Sequence, residues 1–348
     1  MVGDPLSLWS KVCVRQVYDL PQSTINKYEI KIVKLKTQLG NQLSSYAALL
    51  YFALRHGYHA FLDPTQTKAI GQVFKKERLG IGTFDFYRCG CVPGAQHWLH
   101  LLELDRTGVA LRLRDDPGKY SRDHLVGLGA HSVPLFLIKG ELQTVLAAKL
   151  SHHSEVLGEV RERLVFKDKI LLLATNILRN ITERSDKETV VVVGVHARRG
   201  DKLRVWRQSG LMKDNLGRYE GKFFRRSMEG LRDKYNSESR EVVFIVTSDN
   251  IAWTKTQLGN HSDTFFSGDF LLAPPSGHTS LGVDLALLSL ANHTIMDYGT
   301  FGLWGGLLAG GDIIAPTGYT RGSALSPDLV WWRAANMSSV HLVQVEEL

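Results

Sequence analysis

The sequence predicts an α/β protein with doubly wound parallel sheets, and three observations carry that prediction. First, residues 29–62 read strand, turn, helix, strand: 29–35 alternates, Gly40-Asn41-Gln42 turns, 43–54 is an apolar helix and 59–62 is a second strand, which together open a βαβ unit. Second, short β-branched runs at 190–195 and 242–246 have the continuous apolar character of strands buried on both faces, and helical segments separate them. Third, polar clusters follow the ends of three predicted strands, where open α/β sheets bind their ligands.

The 348 residues exceed one comfortable core, so two domains are expected, 25–184 and 185–348. The polar stretch Ser185-Asp186-Lys187-Glu188 marks the boundary. In the first half, 64–150 has weak periodicity, while 142–150 and 157–178 read as helices. In the second half the strands are 190–195, 242–246, 293–296 and 312–315, and helices at 221–234, 249–258 and 284–291 alternate with them. A last helix is expected at 303–308.

Composition narrows the function class. Apolar residues make up 44% and charged residues 22%, as in ordinary globular proteins. The net charge of +7 suits a polyanionic partner, a nucleotide-sugar or nucleic acid. The basic residues are scattered and not interleaved with aromatics, so nucleic acid is not expected. Three cysteines, Cys13, Cys89 and Cys91, cannot build a disulfide framework, and a lone C-x-C pair is no zinc site. Asp115-Asp116 precedes Pro117-Gly118 and reads as a charged turn; His152-His153 has no partners at metal spacing. No metal or cofactor is therefore expected.

No apolar run approaches the roughly 20 residues that span a bilayer, and residues 1–20 hold no signal-peptide core. The chain is expected to be either unexported or without its anchor. Sequons at Asn180, Asn260, Asn292 and Asn336 are glycosylation candidates.

The three clusters carry the chemistry. After 190–195 comes His196-Ala197-Arg198-Arg199-Gly200-Asp201-Lys202. Guanidinium forks fit phosphate oxygens in pairs. Adjacent arginines diverge, so one is expected to meet a ligand and Asp201 to hold the other. After 242–246 comes Thr247-Ser248-Asp249-Asn250, in which Ser248 and Asp249 read either as ligand contacts or as a helix cap. After 293–296 comes Asp297-Tyr298-Gly299-Thr300-Phe301-Gly302. Its glycine lets backbone N–H groups approach a phosphate at a helix start, Thr300 can cap that helix, and Phe301 can stack on a base. Asp284 opens the run 285–291 as a cap or a ligand contact. Neither a dinucleotide fingerprint nor a P-loop is present.

In order and spacing over about 29–320, these stretches resemble the galactoside α-1,2-fucosyltransferases, including the animal blood-group-H-type enzymes. The matching residues are 39–42, His196-Ala197-Arg198-Arg199-Gly200-Asp201, 247–253, 284–288, 292–304 and 309–312. The H-x-R-R-x-D element is shared with α-1,6- and protein O-fucosyltransferases, whereas the 292–312 block points to the α-1,2 branch. The resemblance implies a GT-B architecture, two Rossmann-like domains facing a cleft, with GDP-fucose held mainly by the second. It implies inversion at the anomeric carbon, a β-phosphate contact from Arg198, and help from His196 and Gly299, Thr300 and Phe301 in holding GDP. Asn41, in a loop of the first domain, would reach the donor. Ser248, Asp249 and Asp284 complete the expected donor set, and a galactose-terminated glycan is the expected acceptor. The relatives imply the Golgi lumen, with the membrane reached only through an anchor absent from this chain.

The sequence departs from the family at Asp297-Tyr298, where relatives carry small or apolar residues, which bears on the choice of acceptor. Arg198 and Asp201 are the catalytic candidates, Asp201 as a base or as an arginine's partner. The competing reading is an inactive transferase-like protein that binds GDP-fucose or glycan.

Overall fold

The computed structural model describes residues 30–34, 39–56, 59–62, 64–83, 127–129, 153–200, 216–259, 261–270, 277–297, 299–317 and 339–344. They fall into two α/β units, each built on a wholly parallel sheet.

The first unit comprises residues up to Gly71 and from Lys75 to Val165. Strand β1 (Ile30–Lys34) leads to helix α1 (Leu39–His56), strand β2 (His59–Leu62) and helix α2 (Pro64–Val73). Strands β3 (Gly82–Thr83) and β4 (Gly127–Gly129) and helix α3 (His153–Arg163) follow. The sheet order is β3-β2-β1-β4. The strand, helix, strand opening is as the sequence predicts, with one correction: residues 40–42 lie in the first turn of α1 and not in a loop. Tyr46 of α1 is fully buried and its hydroxyl donates to the Leu79 carbonyl at 2.8 Å. Burial holds that phenol well above the usual tyrosine range.

The second unit takes Gln72–Phe74 and the chain from Phe166. The sequence drew its line at 184/185. Helix α4 (Asp168–Thr182) lies between the two positions and packs with the second unit. Its buried residues Ile170, Ala174, Ile177 and Ile181 recur every three or four positions, the stripe of an amphipathic helix. The single helix expected over 157–178 is two helices, α3 and α4, because an antiparallel bridge between Phe74 and Phe166 interrupts it.

Next come β5 (Thr189–Ala197), α5 (Leu216–Tyr235), β6 (Arg240–Ser248), α6 (Ile251–Leu258), β7 (Thr264–Phe266) and α7 (Gly277–Ser289). The unit closes with β8 (His293–Met296), α8 (Thr300–Ala309), β9 (Ile313–Thr317) and β10 (Val340–Gln344). The sheet order is β10-β9-β8-β5-β6-β7. Strand periodicity sorts the two faces. Val191, Val193, Val195 and Ala197 pack with Val242, Phe244 and Val246 against Phe223, Phe224 and Met228 of α5. Each of these side chains except that of Ala197 contributes about 1.5–3 kcal/mol on burial. The even-numbered residues of β5 face α7 and α8: a Cβ on Gly194 would come within 2.9 Å of Leu288, so only glycine lets α7 approach this closely.

At the amino ends of these strands Asp312 gathers four partners, one of them His293, whose Nδ1 lies 3.6 Å from Oδ2. Lys234 and Tyr235 of α5 donate to its Oδ2 at 3.1 and 3.4 Å, and His341 Nε2 of β10 lies 3.1 Å from Oδ1. Burial pushes this carboxyl up, but the hydrogen bonds of His341 and Lys234 outweigh it and hold it below the usual carboxylate range. Among the described residues no helix is long and apolar enough to cross a membrane. The helix expected at 142–150 lies outside the described residues.

Candidate functional site

The chain runs from β5 to β6 and β7 on one side, then returns to β8 on the other side of β5. Winding reverses between β5 and β8, and a crevice opens there beyond the carboxyl ends of the strands. All three polar clusters arrive at this edge. His196 pairs in register with Thr247 and with Met296, and Ala197 pairs with Ser248.

The backbone just past β5 is held from both sides. Arg198 N donates to Asp297 Oδ2 at 2.9 Å. Arg199 N and Gly200 N donate to the two oxygens of Asp249 at 2.7 and 2.8 Å. Asp249 thereby shapes this turn. A Cβ on Gly200 would stand 2.5 Å from Asp249 Oδ2, so the grip requires glycine. Ser248 Oγ donates to the Ala197 carbonyl at 2.7 Å and accepts from Asn250 N at 3.0 Å. The cap of α6 is Asn250, whose Oδ1 accepts from Trp253 N, and neither Ser248 nor Asp249.

The sequence expects Asp201, which lies outside the described residues, to hold one of the two arginines; the structure gives one of them a different partner. The Arg199 guanidinium lies 3.7 Å from the Trp253 ring centre, a cation–π contact that commits it to the scaffold. Arg198, launched from the end of β5, is the ligand candidate. Sequence reasoning missed two parts of this arrangement. It set Trp253 aside as part of a motif, and it noted Asp297 only as a departure bearing on acceptor choice, without seeing that Asp297 is 1% exposed and bonds the backbone of Arg198.

His196 projects from the even face of β5, is buried, and lies 5.2 Å from the Phe301 ring. Phe301 is itself buried, so its ring packs on His196. Gly299 has φ of +97°, the left-handed region that favours glycine, and is the residue from which α8 departs. Helix α8 begins at Thr300 and not near 303, so Thr300 is its first residue and Gly299, which has no side chain to offer, is its cap. The amino-terminal turn of α8 therefore opens directly at the carboxyl edge of the sheet.

Asp284 does not open a helix. It lies in the interior of α7, with its carboxyl buried and bonded to Ser267 just past β7. Its Oδ1 has no hydrogen-bond partner among the described residues. Burial pushes the group up to about 6, and the Ser267 hydrogen bond opposes this. Asn41 sits in the first turn of α1, in the first unit. Asp201, Tyr298, Asn260, Asn336, Asp115 and Asp116 lie outside the described residues. Of the remaining sequons, Asn180 is exposed in the last turn of α4, while Asn292 Oδ1 accepts from Val192 N at 2.8 Å.

An edge that combines a fixed arginine with a helix amino terminus can stabilise phosphate charge. Comparison with known proteins agrees with that chemistry. The chain is 26% identical over 288 residues to galactoside alpha-(1,2)-fucosyltransferase 2 of Pongo pygmaeus, covering 81% of this chain and 70% of that protein. It is 27% identical to the Sus scrofa enzyme of the same name, covering 81% and 71%. The fold is shared with Arabidopsis thaliana FUT1 solved in complex with GDP, at a TM-score of 0.52 and 13% identity, over 89% of this chain and 75% of that one. The model of glycosyl transferase family 11 matches residues 143–323, more than half of the sequence, with all three strand-end clusters inside it: the chain belongs to glycosyl transferase family 11.

Proposed function

We propose that this protein is a metal-independent galactoside α-1,2-L-fucosyltransferase, moving L-fucose from GDP-fucose to the 2-OH of a terminal β-galactose with inversion. The observation that carries the reading is Arg198, seated on a doubly clamped backbone, sharing one sheet edge with the amino terminus of α8. Family membership and the similarity to enzymes named galactoside alpha-(1,2)-fucosyltransferase support the reaction.

In that reaction the bond between the anomeric carbon and the β-phosphate oxygen breaks, and its electron pair leaves with GDP. The acceptor oxygen bonds to the opposite face of the sugar and loses its proton late, to Asp201 or to a phosphate oxygen. The leaving group needs charge stabilisation that is in place before bond cleavage. Arg198 supplies a forked cation, and the first turn of α8 directs backbone N–H groups along its axis. Asp284 suits the base of the donor: a buried carboxylate oxygen in want of a donor matches the N–H edge of guanine. His196 and Phe301 form the wall between these points, and Ser248 and Asp249 act by shaping the turn that bears Arg198.

The direct test is transfer from labelled GDP-fucose to a β-galactoside after chelator dialysis, with and without excess EDTA. Equal transfer in both is expected. Activity lost to EDTA and restored by manganese or magnesium would overturn the metal-free mechanism and turn attention to Asp115-Asp116. GDP-fucose binding without transfer to any glycan would leave a binding protein. The Golgi lumen is the compartment we propose on the family resemblance, with Asn180 as the sequon best placed for glycosylation.

Gly302→Ala tests the wall. Alanine is favoured over glycine inside a helix by about 1 kcal/mol. Here its Cβ would sit 2.6 Å from His196 Nδ1 and 3.0 Å from Met296 Cβ, so the imidazole must move. The expected result is a melting temperature within a few degrees of the parent with GDP affinity weakened about tenfold. Calorimetric titration with GDP alongside thermal melting reads both, and unchanged affinity would remove His196 from the donor site.

A further inference from the structure

We propose that Asp297 is a positioning residue for Arg198, fixing the direction in which that arginine meets the donor phosphates. The proposal rests on the donor reading above and adds to it a residue outside the donor set.

The geometry makes the case. Residues 198–200 are the first to leave β5, and strand pairing no longer constrains them. Three consecutive N–H groups are nevertheless all satisfied, by two carboxylates on the flanking strands. Asp249, after β6, takes Arg199 and Gly200; Asp297, after β8, takes Arg198. Because β5 lies between β8 and β6, the two acids grip the turn from opposite sides.

The grips are not equivalent. Asp249 is exposed and holds the far side of the turn, while Asp297 is 1% exposed and holds the residue that carries the guanidinium. Asp297 is itself tied to β5, since its own N–H donates to the His196 carbonyl at 3.3 Å. A reciprocal pair thus joins the end of β8 to the end of β5 across the point where winding reverses. A carboxylate acceptor makes a stronger hydrogen bond to an N–H than a neutral acceptor does. Burial keeps water from replacing it.

Among the described residues no other acid equals that clamp. The Asp312 cluster lies at the amino ends of the strands, away from the site, and is explained by joining α5 to β10. Asp284 belongs to the donor site already proposed. Among the described residues, Asp297 is the buried acid bonded to the backbone of the residue on which the proposed reaction depends.

The experiment is a double-mutant cycle read by GDP titration calorimetry and by kcat and KM for GDP-fucose, with melting temperatures as the folding control. Asp297→Ala is expected to weaken GDP binding about thirtyfold and to lower kcat by a similar factor. Asp297→Asn, which keeps an oxygen at the acceptor position, should recover most of both losses. In an Arg198→Ala background, Asp297→Ala should cost less than threefold more, because a residue that acts only through Arg198 has nothing left to position. Equal losses in the two backgrounds would overturn the proposal, as would a folded Asp297→Ala with parental GDP affinity and kcat. If Asp297→Ala fails to fold, Asp297→Asn alone decides: a folded variant as impaired as Arg198→Ala would contradict the hydrogen-bond assignment, and near-recovery would support it. A parent protein that does not bind GDP at all would instead sink the donor reading, and this inference with it.

Discussion

Arg198→Lys should reduce turnover on the order of 10²–10³-fold, equivalent to 2.7–4 kcal/mol of transition-state stabilisation, while the fold survives. Lysine keeps the charge and most of the stem, so any loss isolates the planar fork. The fork matters because of what holds it. The backbone N–H groups of Arg198, Arg199 and Gly200 all donate to carboxylates at 2.7–2.9 Å, so the turn cannot shift to bring a shorter ammonium to the same place. A cation that serves the leaving phosphate must also be in position before the bond breaks, and a flexible ammonium is less so. Stability should change little, since Arg198 stands at the edge of the sheet and the core beneath it is Val191, Val193, Val195 and Ala197. Turnover with GDP-fucose and thermal melting on the same preparation test this. Near-normal turnover would detach Arg198 from the phosphate. Collapse of the melting temperature would assign the residue to the fold.

The fold was legible where periodicity was strong. Valine-rich β5 and β6 are each buried on two faces, and such strands announce themselves as unbroken β-branched runs. Strand β8 was also readable at His293–Met296 because a polar cluster follows it directly. Strands β3 and β7, of two and three residues, carry too few positions for any pattern to emerge. The start of α8 was placed late because Gly299, Thr300, Phe301 and Gly302 have poor helix propensity, whereas burial of Phe301, Leu303 and Trp304 stabilises that turn through tertiary packing.

The site was legible as a set of residues but not as a set of roles. Strand-end position brought His196, Arg198, Asp249 and Gly299 to one edge, because chain direction and parallel pairing suffice to do so. Whether an acid there faces a ligand or its own backbone depends on angles that the sequence does not encode locally. Asp249 and Asp297 both turned inward to N–H groups left unpaired where β5 ends. Arg199 is likewise held by Trp253, 54 positions along the chain, through a contact between side chains on different elements.

A β-galactoside acceptor should be fucosylated and its 2-deoxy analogue should give no product. The proposed nucleophile is the 2-OH itself, so the analogue lacks the oxygen that forms the new bond. It also leaves unpaired whatever groups hydrogen-bond that hydroxyl, and a polar group stranded in a site closed to water costs far more than a missing methylene. The ring and its other hydroxyls are unchanged, which limits the effect to the reacting position. Inversion adds a second requirement, because the acceptor oxygen must approach the anomeric carbon on the face opposite the departing phosphate. A neighbouring hydroxyl presented at another angle cannot substitute without turning the whole sugar. Asp297 does not disturb this expectation, for its carboxylate is buried and bonded to Arg198 N. Parent and analogue should be offered side by side with labelled GDP-fucose, and the product linkage read by nuclear magnetic resonance. Equal transfer to both sugars, or a product linked through the 3-OH or 6-OH, would displace the 2-OH as acceptor. The donor assignment would survive that outcome, because the roles proposed for Arg198, α8 and Asp284 concern GDP and not the acceptor.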